Sequence, residues 1–437
     1  MKLHKLVAAG AIAALVGVGI AGCSSSASAD ASSKSDAGTT LTYWATNQGA
    51  NLQADKTILT PELNAFTKKT GIKVDLQVLP WSTDDTKILA ATASGKGPDV
   101  LNFGNTDAWT FGSTGALLPF SGSNLKKIGG SSKFIPNVLA AAGSAPYTSV
   151  PLYSQAYGLF YNKAMFSKAG LTPPTTWQQL VSDAKKLTDP STQTYGMAIQ
   201  GASVSEAMHF AYIFTRQNNG SPFNSKNQPT FTTAGNVKGL SQYLNLMLDG
   251  VVNPSDAQDS TGTLQMGEFA QGKAAMFMYQ NSGISSLTSL GMPISQYGVV
   301  PIPAPTGGKK VASFVAGTNI AIFKNTKHLD AALQFVKYMT SASVQASLDK
   351  KYQLLPVLKG AKLSFLSDPT MAKTFNTILS SQAEPLPVKA NTEAYQQNVG
   401  GALVTLMGKA ASSPSSVTQS AIKSALVAAQ NQMPATN

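Results

Sequence analysis

The sequence predicts an α/β protein of two lobes, each a mainly parallel sheet flanked by helices. Three observations carry this reading. Short β-prone runs alternate with helices of 3.6-residue period, the pattern that places parallel strands side by side with helices over both faces. The 437-residue chain is too long for one compact unit at about 150 residues per domain. It holds one cysteine, so the fold rests on buried apolar surface and not on disulfides.

The first strand is Leu41-Thr42-Tyr43-Trp44, followed by polar Thr46-Asn47-Gln48-Gly49 and a helix with Thr60 as N-cap and Pro61 at its first position. Leu63 and Phe66 mark its apolar face, Gly71 stops it, and Ile72 to Leu79 alternates with period two as a strand does. A second helix, including Ile88 and Leu89, ends near Gly95 to Gly97. Pro98-Asp99-Val100-Leu101 then launches a strand, with polar Asn102 to Asp107 behind it. Tyr157 to Tyr161 reads as a strand. Thr176 caps a helix whose stripe is Trp177, Leu180, Val181, Ala184 and Leu187. Strands near Gly298 to Pro301 and Asn319 to Phe323 follow, then a helix with Ala332, Phe335, Val336 and Met339 on one face.

Ahead of these elements, Lys2 and Lys5 precede an apolar run from Leu6 to Ile20, which falls short of the roughly 20 residues that span a bilayer. Residues 1–22 therefore read as a signal peptide. The run ends at Ile20-Ala21-Gly22-Cys23, which resembles a bacterial lipobox and makes Cys23 the lipidation site, anchored in the cell membrane and facing the extracellular side. Ser24 to Thr40 contains only Ser, Ala, Asp, Lys, Gly and Thr, so residues 23–40 are expected to be anchor and flexible tether.

Removal of Lys2 and Lys5 lowers the basic count from 33 to 31 against 21 acids, a formal charge of +10. Every basic residue except Arg216 is Lys, whereas base-edge readout favours the planar Arg fork, so nucleic acid is not the expected partner. Beyond the leader only His209 and His328 remain, neither in an H-x-x-H arrangement, and no phosphate-cradling glycine motif is present. Ser182-Asp183-Ala184-Lys185 and Lys69-Thr70-Gly71 imitate pieces of penicillin-binding enzymes, but in reversed order and without S-D-N. No enzyme, metal site or cofactor is expected.

What is present is a set of aromatic and neutral hydrogen-bonding side chains in loops after strands: Trp44 with Asn47 and Gln48, Trp81, and Asn102 to Asp107 with Trp109. In open parallel sheets ligands bind outside the carboxyl ends of strands, so these loops converge. An indole offers an apolar face to a sugar ring, while Asn, Gln and Asp bond its hydroxyls. A carbohydrate is the expected ligand. The competing assignment puts Trp44 and Trp81 in the core. His209, among apolar neighbours, reads as packing before ligand contact.

Five segments in order resemble the family 1 extracellular solute-binding proteins, the sugar-binding lipoproteins of ABC importers that include maltose-binding protein. They are Gly95-Lys96-Gly97-Pro98-Asp99-Val100, then Val150-Pro151-Leu152 with Gly158-Leu159-Phe160-Tyr161-Asn162-Lys163, and Ala169-Gly170-Leu171 through Pro174-Thr175-Thr176-Trp177. Phe269-Ala270-Gln271-Gly272-Lys273-Ala274-Ala275-Met276 and Tyr297-Gly298-Val299-Val300-Pro301 complete them. The resemblance implies a periplasmic-binding-protein-like fold with a hinge, lobe 1 comprising 41–152 plus 312–360 and lobe 2 comprising 153–311 plus 361–437. Crossings are expected near Pro151 to Gln155, Val311 to Phe314 and Leu358 to Lys362.

By motif position the resemblance implies ligand contacts at Trp44, Gln48, Trp81, Asn105 and Asp107 in the first lobe and at His209, Tyr279, Asn281 and Tyr395 in the second. Tyr153, Gln155 and Gly317 are implied around the hinge. The family often carries Gly-x-Trp after the strand that ends near Met278, where this chain has Tyr279-Gln280-Asn281-Ser282-Gly283, so Tyr279 is the expected stacking platform. The implied partners are a small carbohydrate, ABC permease subunits and, through the lipid on Cys23, the membrane, with the protein a monomer. A surface glycan-binding adhesin without transport is the alternative from the same anchor and aromatics.

Overall fold

The computed structural model describes residues 36–49, 51–363 and 365–435. The expected signal peptide, Cys23 and most of the tether lie outside the described residues. Among the described residues eleven strands occur in chain order: β1 Thr40–Thr46, β2 Lys73–Leu79, β3 Val100–Gly104, β4 Val150–Gln155, β5 Tyr157–Asn162, β6 Tyr195–Ala198, β7 Ala274–Gln280, β8 Tyr297–Val300, β9 Ser313–Phe314, β10 Ala316–Ile322 and β11 Ala383–Glu384. Two main sheets result, ordered β2-β1-β3-β10-β4 and β6-β7-β5-β8.

In the first sheet β1 pairs in parallel with β2 and β3, and only β10 runs against its neighbours β3 and β4. In the second, β6 and β7 are parallel and only β5 opposes β7 and β8. The opposing strand in each sheet is the one the chain enters from the other half. β4 ends at Gln155 and, after the fully buried Ala156, β5 begins at Tyr157; β9 ends at Phe314 and, after buried Val315, β10 begins at Ala316. A two-stranded parallel ladder of β9 with β11 joins the second of these crossings to the C-terminal segment. Farther on, Leu355 bridges Ser154 and Leu358 bridges Phe134, after which the helix Pro369–Thr377 packs against β8.

Local chemistry sets the element ends. The first helix is Leu52–Thr70, because Asn51 caps it by accepting from the amides of Gln53 and Ala54 at 3.1 and 2.9 Å, and Gly71 closes it at φ 78°. The expected N-cap at Thr60 is thus corrected by nine residues. Pro61 lies inside the helix, where it removes one backbone donor and the surrounding packing overrides its propensity. Thr176 does cap the helix Trp177–Leu187, accepting from the Gln179 amide at 3.2 Å, and Trp177 on its stripe is buried edge-on to Phe214. Ser182 lies on this helix and Lys69 at the end of the first. Among the described residues, no helix is long and apolar enough to cross a membrane.

Candidate functional site

The loops after β1, β2 and β3 open onto a cavity of about 510 Å³ that both halves line. Asn47, Gln48, Trp81, Asn105, Asp107, Gln155 and Gly317 come from the half built on the first sheet. Glu206, His209, Tyr279, Gln280, Phe314 and Gln396 come from the other side. A second cavity of about 700 Å³ adjoins it and shares Gln48, Tyr279 and Ser282, so the two form one continuous cleft.

The first wall is built by buried ties behind it. Asp55 is fully buried on the first helix, and its carboxylate accepts from the Gln48 and Gly49 amides, each at 3.1 Å, and from the Asn47 side chain. This converts a flexible polar loop into a fixed rim. Asn105 donates to the Val315 carbonyl at 2.9 Å, pinning the β3 exit to the crossing strand. Gly317 adopts φ 147°, and a Cβ there would sit 2.1 Å from the Tyr153 carbonyl oxygen, so only glycine fits at this point of the cleft. Trp81 lies on the turn after β2 with its ring edge over Gly104, and it is 49% exposed. An indole left that open beside a polar cavity is an unused apolar face.

The second wall is a hydrogen-bonded aromatic floor. Glu206 and His209 lie on the helix Val204–Gln217 at i, i+3, on one face. The Tyr157 hydroxyl donates to Glu206 Oε1 at 2.8 Å, lies 2.8 Å from His209 Nδ1, and receives the Gln280 amide at 2.8 Å. Burial, then the Glu206 charge, pushes the Tyr157 hydroxyl well above the ordinary tyrosine range, which keeps it a neutral donor. The His209 ring stacks on Phe314 at 4.3 Å. Glu206 Oε2 has no partner although the residue is only 9% exposed.

Of the twelve residues singled out as ligand contacts, eight line this cavity and four do not. Trp44 is half-buried on β1 against the small cluster containing Leu101, Phe103 and Phe111, with Lys87 Nζ 4.3 Å above its ring. Tyr153 is buried and packs edge-on against Tyr352 at 5.6 Å. Asn281 is fully buried and holds the crossing itself, its side chain accepting from the Ala156 amide at 3.1 Å and donating to the Gln353 carbonyl at 2.7 Å. Tyr395 is buried against Phe231 and Phe223 at 5.4 and 5.9 Å. None of these four lines the cavity. Motif position transferred them, but side-chain direction depends on which face of each element meets the core.

Glu206, Gln280, Phe314 and Gln396 were not singled out. Glu206 carried a signal with another meaning: Ser203-x-x-Glu206 has the form of a capping box, and the Ser203 hydroxyl does accept from the Glu206 amide at 3.3 Å. Its carboxylate turns to Tyr157 and the cavity instead.

Residues 49–346 match the family model described as bacterial extracellular solute-binding protein. The diacetylchitobiose binding protein DasA of Streptomyces coelicolor is 26% identical over 369 residues, 81% of this chain and 82% of that protein. Among solved structures, the sugar-binding protein MalE of Xanthomonas citri superposes with a TM-score of 0.75 at 22% identity, covering 90% of this chain and 97% of that one. A solute-binding protein of Thermotoga lettingae bound with α-D-tagatose gives 0.72 at 24% identity, covering 90% and 99%. At these identities the superpositions establish the fold, a two-lobed α/β architecture of sheets flanked by helices.

Proposed function

Because the chain belongs to the bacterial extracellular solute-binding protein family, a family of binding proteins and not of enzymes, we propose that it captures a sugar or short oligosaccharide in the cleft. Hinge closure then delivers the solute to the permease of an ABC importer. The observation that carries the reading is the open indole of Trp81 facing a cavity lined mostly by hydrogen-bonding side chains from both halves. Such a lining grips a hydroxylated ring by its apolar face and its edge together. Relatives point the same way, since DasA is named for diacetylchitobiose and the Thermotoga lettingae protein holds tagatose.

The assigned ligand contacts are Gln48, Trp81, Asn105, Asp107, Gln155, His209, Tyr279 and Gly317, joined by Glu206 and Gln280. Lobe 1 corresponds to the half built on β1 to β4 and β10, and lobe 2 to the half built on β5 to β8, with Ala156 and Val315 as pivots. A solute touching both walls favours the closed arrangement by the contacts available only there. No step alters the solute. Lipidation of Cys23 holds the protein on the extracellular side of the cell membrane, within reach of its permease; Cys23→Ala is expected to release it from the membrane fraction.

The test is a thermal-shift screen of the protein across mono- and oligosaccharides and polyols. A ligand at 100 times its Kd raises stability by about 2.7 kcal/mol, which moves the melting temperature measurably. A sugar that raises it in the wild type and not in Trp81→Ala supports the proposal. A panel without any shift contradicts it.

A further inference from the structure

Resting on the solute-binding reading, the further question is what charge the solute carries. The whole chain is strongly basic, with a formal charge of +12, yet among the described residues the 510 Å³ cavity is lined by Asp107 and Glu206 and by no lysine or arginine. The two carboxylates stand on opposite walls, Asp107 at the β3 exit and Glu206 on the helix Val204–Gln217. The lysines near by are engaged elsewhere: Lys87 lies over the Trp44 ring, and Lys351, on the adjoining cavity, pairs with Glu62 at 3.3 Å; the one basic ring in the lining, His209, has Nδ1 3.4 Å from Glu206 Oε1 and 2.8 Å from the Tyr157 hydroxyl, and so faces the oxygen that Tyr157 already holds.

Two buried oxygens show an unmet demand. Glu206 Oε2, on a residue nine-tenths buried at the cavity wall, has no hydrogen-bond donor, its other oxygen being held by Tyr157. Asp84 Oδ2, at 1% exposure on the helix Asp84–Ser94 behind the rim, likewise has none. Outside these, Asp85 of the first half and Glu393 of the helix Thr392–Ser412 lie within electrostatic reach of Asp107, and Glu393 is bonded by Gln396, which itself lines the cavity. The Asp107 carboxyl is pushed well above the usual range by burial first and by the Asp85, Glu393 and Asp84 charges after it; none of these causes is a cation. Burial thus holds Asp107 protonated while the cleft is empty, and a cation entering between the walls favours its ionised form.

We propose that the solute is an amine-bearing sugar or short amino-oligosaccharide, whose ammonium group lies between Asp107 and Glu206 and supplies the positive charge that no lysine or arginine of the lining gives. A charged amine faces the Glu206 carboxylate across the cavity and favours the ionised form of Asp107, so closure is strongest with a cationic ligand. A charge-assisted bond is about twice as strong as a neutral one, which gives the amine its advantage over a hydroxyl at the same place. Sugar acids and phosphorylated solutes are rejected by the same carboxylates.

The experiment is titration calorimetry of the mature protein with three disaccharides of one backbone: chitobiose with both amines free, its diacetylated form, and cellobiose, at a pH where the free amines are charged. Free-amine chitobiose is expected to bind at least tenfold tighter than cellobiose, with the advantage shrinking as salt is raised. Glu206→Gln is expected to reduce that advantage severalfold. The double variant Asp85→Asn with Glu393→Gln, which alters only groups that are not buried, is expected to reduce it as well and guards against misfolding of the first. Equal or tighter binding of cellobiose or of the diacetylated sugar overturns the amine assignment and leaves sugar capture standing. If no saccharide of any kind binds, both fall.

Discussion

The two walls of the cleft are built on different principles. On the wall from the first sheet, loops leave the carboxyl ends of β1, β2 and β3 and are fixed from behind by single buried groups, Asp55 for Asn47 to Gly49 and the Val315 carbonyl for Asn105. On the opposite wall the contacts come from a helix face and the end of a strand, tied side chain to side chain through Tyr157. One wall is a row of held loops and the other a shared network. Loss of one tie should therefore loosen one loop on the first wall, and disturb several contacts at once on the second.

The largest expected effect separates the halves by pH. Asp349, in the helix Ala342–Tyr352 of the first half, is pushed up to about 8 by burial, and Asp256 in the second half is raised by burial and by Glu268 and Asp259. Because their folded values lie above the unfolded ones, the stability they confer is complete below about pH 4 and is lost as pH rises toward 8, by several kcal/mol. Melting temperature should fall between pH 5 and pH 8.5. Asp349→Asn should flatten that fall for the first half and Asp256→Asn for the second; a profile unchanged by both would mean that neither acid is buried neutral.

Next in size is Tyr395→Ala, which removes a buried ring from the Phe223 and Phe231 cluster and should cost about 3 kcal/mol of stability. Affinity per folded molecule should stay unchanged, as it should for Trp44→Ala with a smaller loss of stability. Trp81→Ala reverses the pattern, lowering affinity about thirtyfold, or about 2 kcal/mol, at constant melting temperature. Smaller still, Asp55→Asn should weaken binding about tenfold, or about 1.4 kcal/mol, by freeing the Gln48 rim. Equal losses from Trp81→Ala and Trp44→Ala would erase the distinction drawn between the two indoles.

The alternating elements of the fold were legible because period and caps are local: Thr176 and Gly71 end up where their chemistry requires. The helix start was not, because the Asn51 cap competes with the Thr60-Pro61 pair and packing of Leu59, Leu63 and Phe66 decides between them. On the first wall the rule that ligand loops follow strand ends led to Gln48, Trp81, Asn105 and Asp107, all of which line one cavity. That rule names loops, not directions, and so could not tell Trp81 from Trp44, whose ring turns to the sheet face. On the second wall the rule reaches Tyr279 and Gln280 at the carboxyl end of β7 but not the helix Val204–Gln217. Glu206 depends on a helix face meeting a tyrosine 49 residues away, and Asn281 on a crossing that only the assembled sheets define.

The central claim is that two halves close around a solute held by both walls. Small-angle scattering of the mature protein, with and without a saturating saccharide identified by thermal shift, tests it most directly. The radius of gyration should fall on ligand addition in the wild type, and fail to fall in Trp81→Ala at the same concentration. An unchanged radius in wild-type protein proven by calorimetry to be saturated would contradict closure.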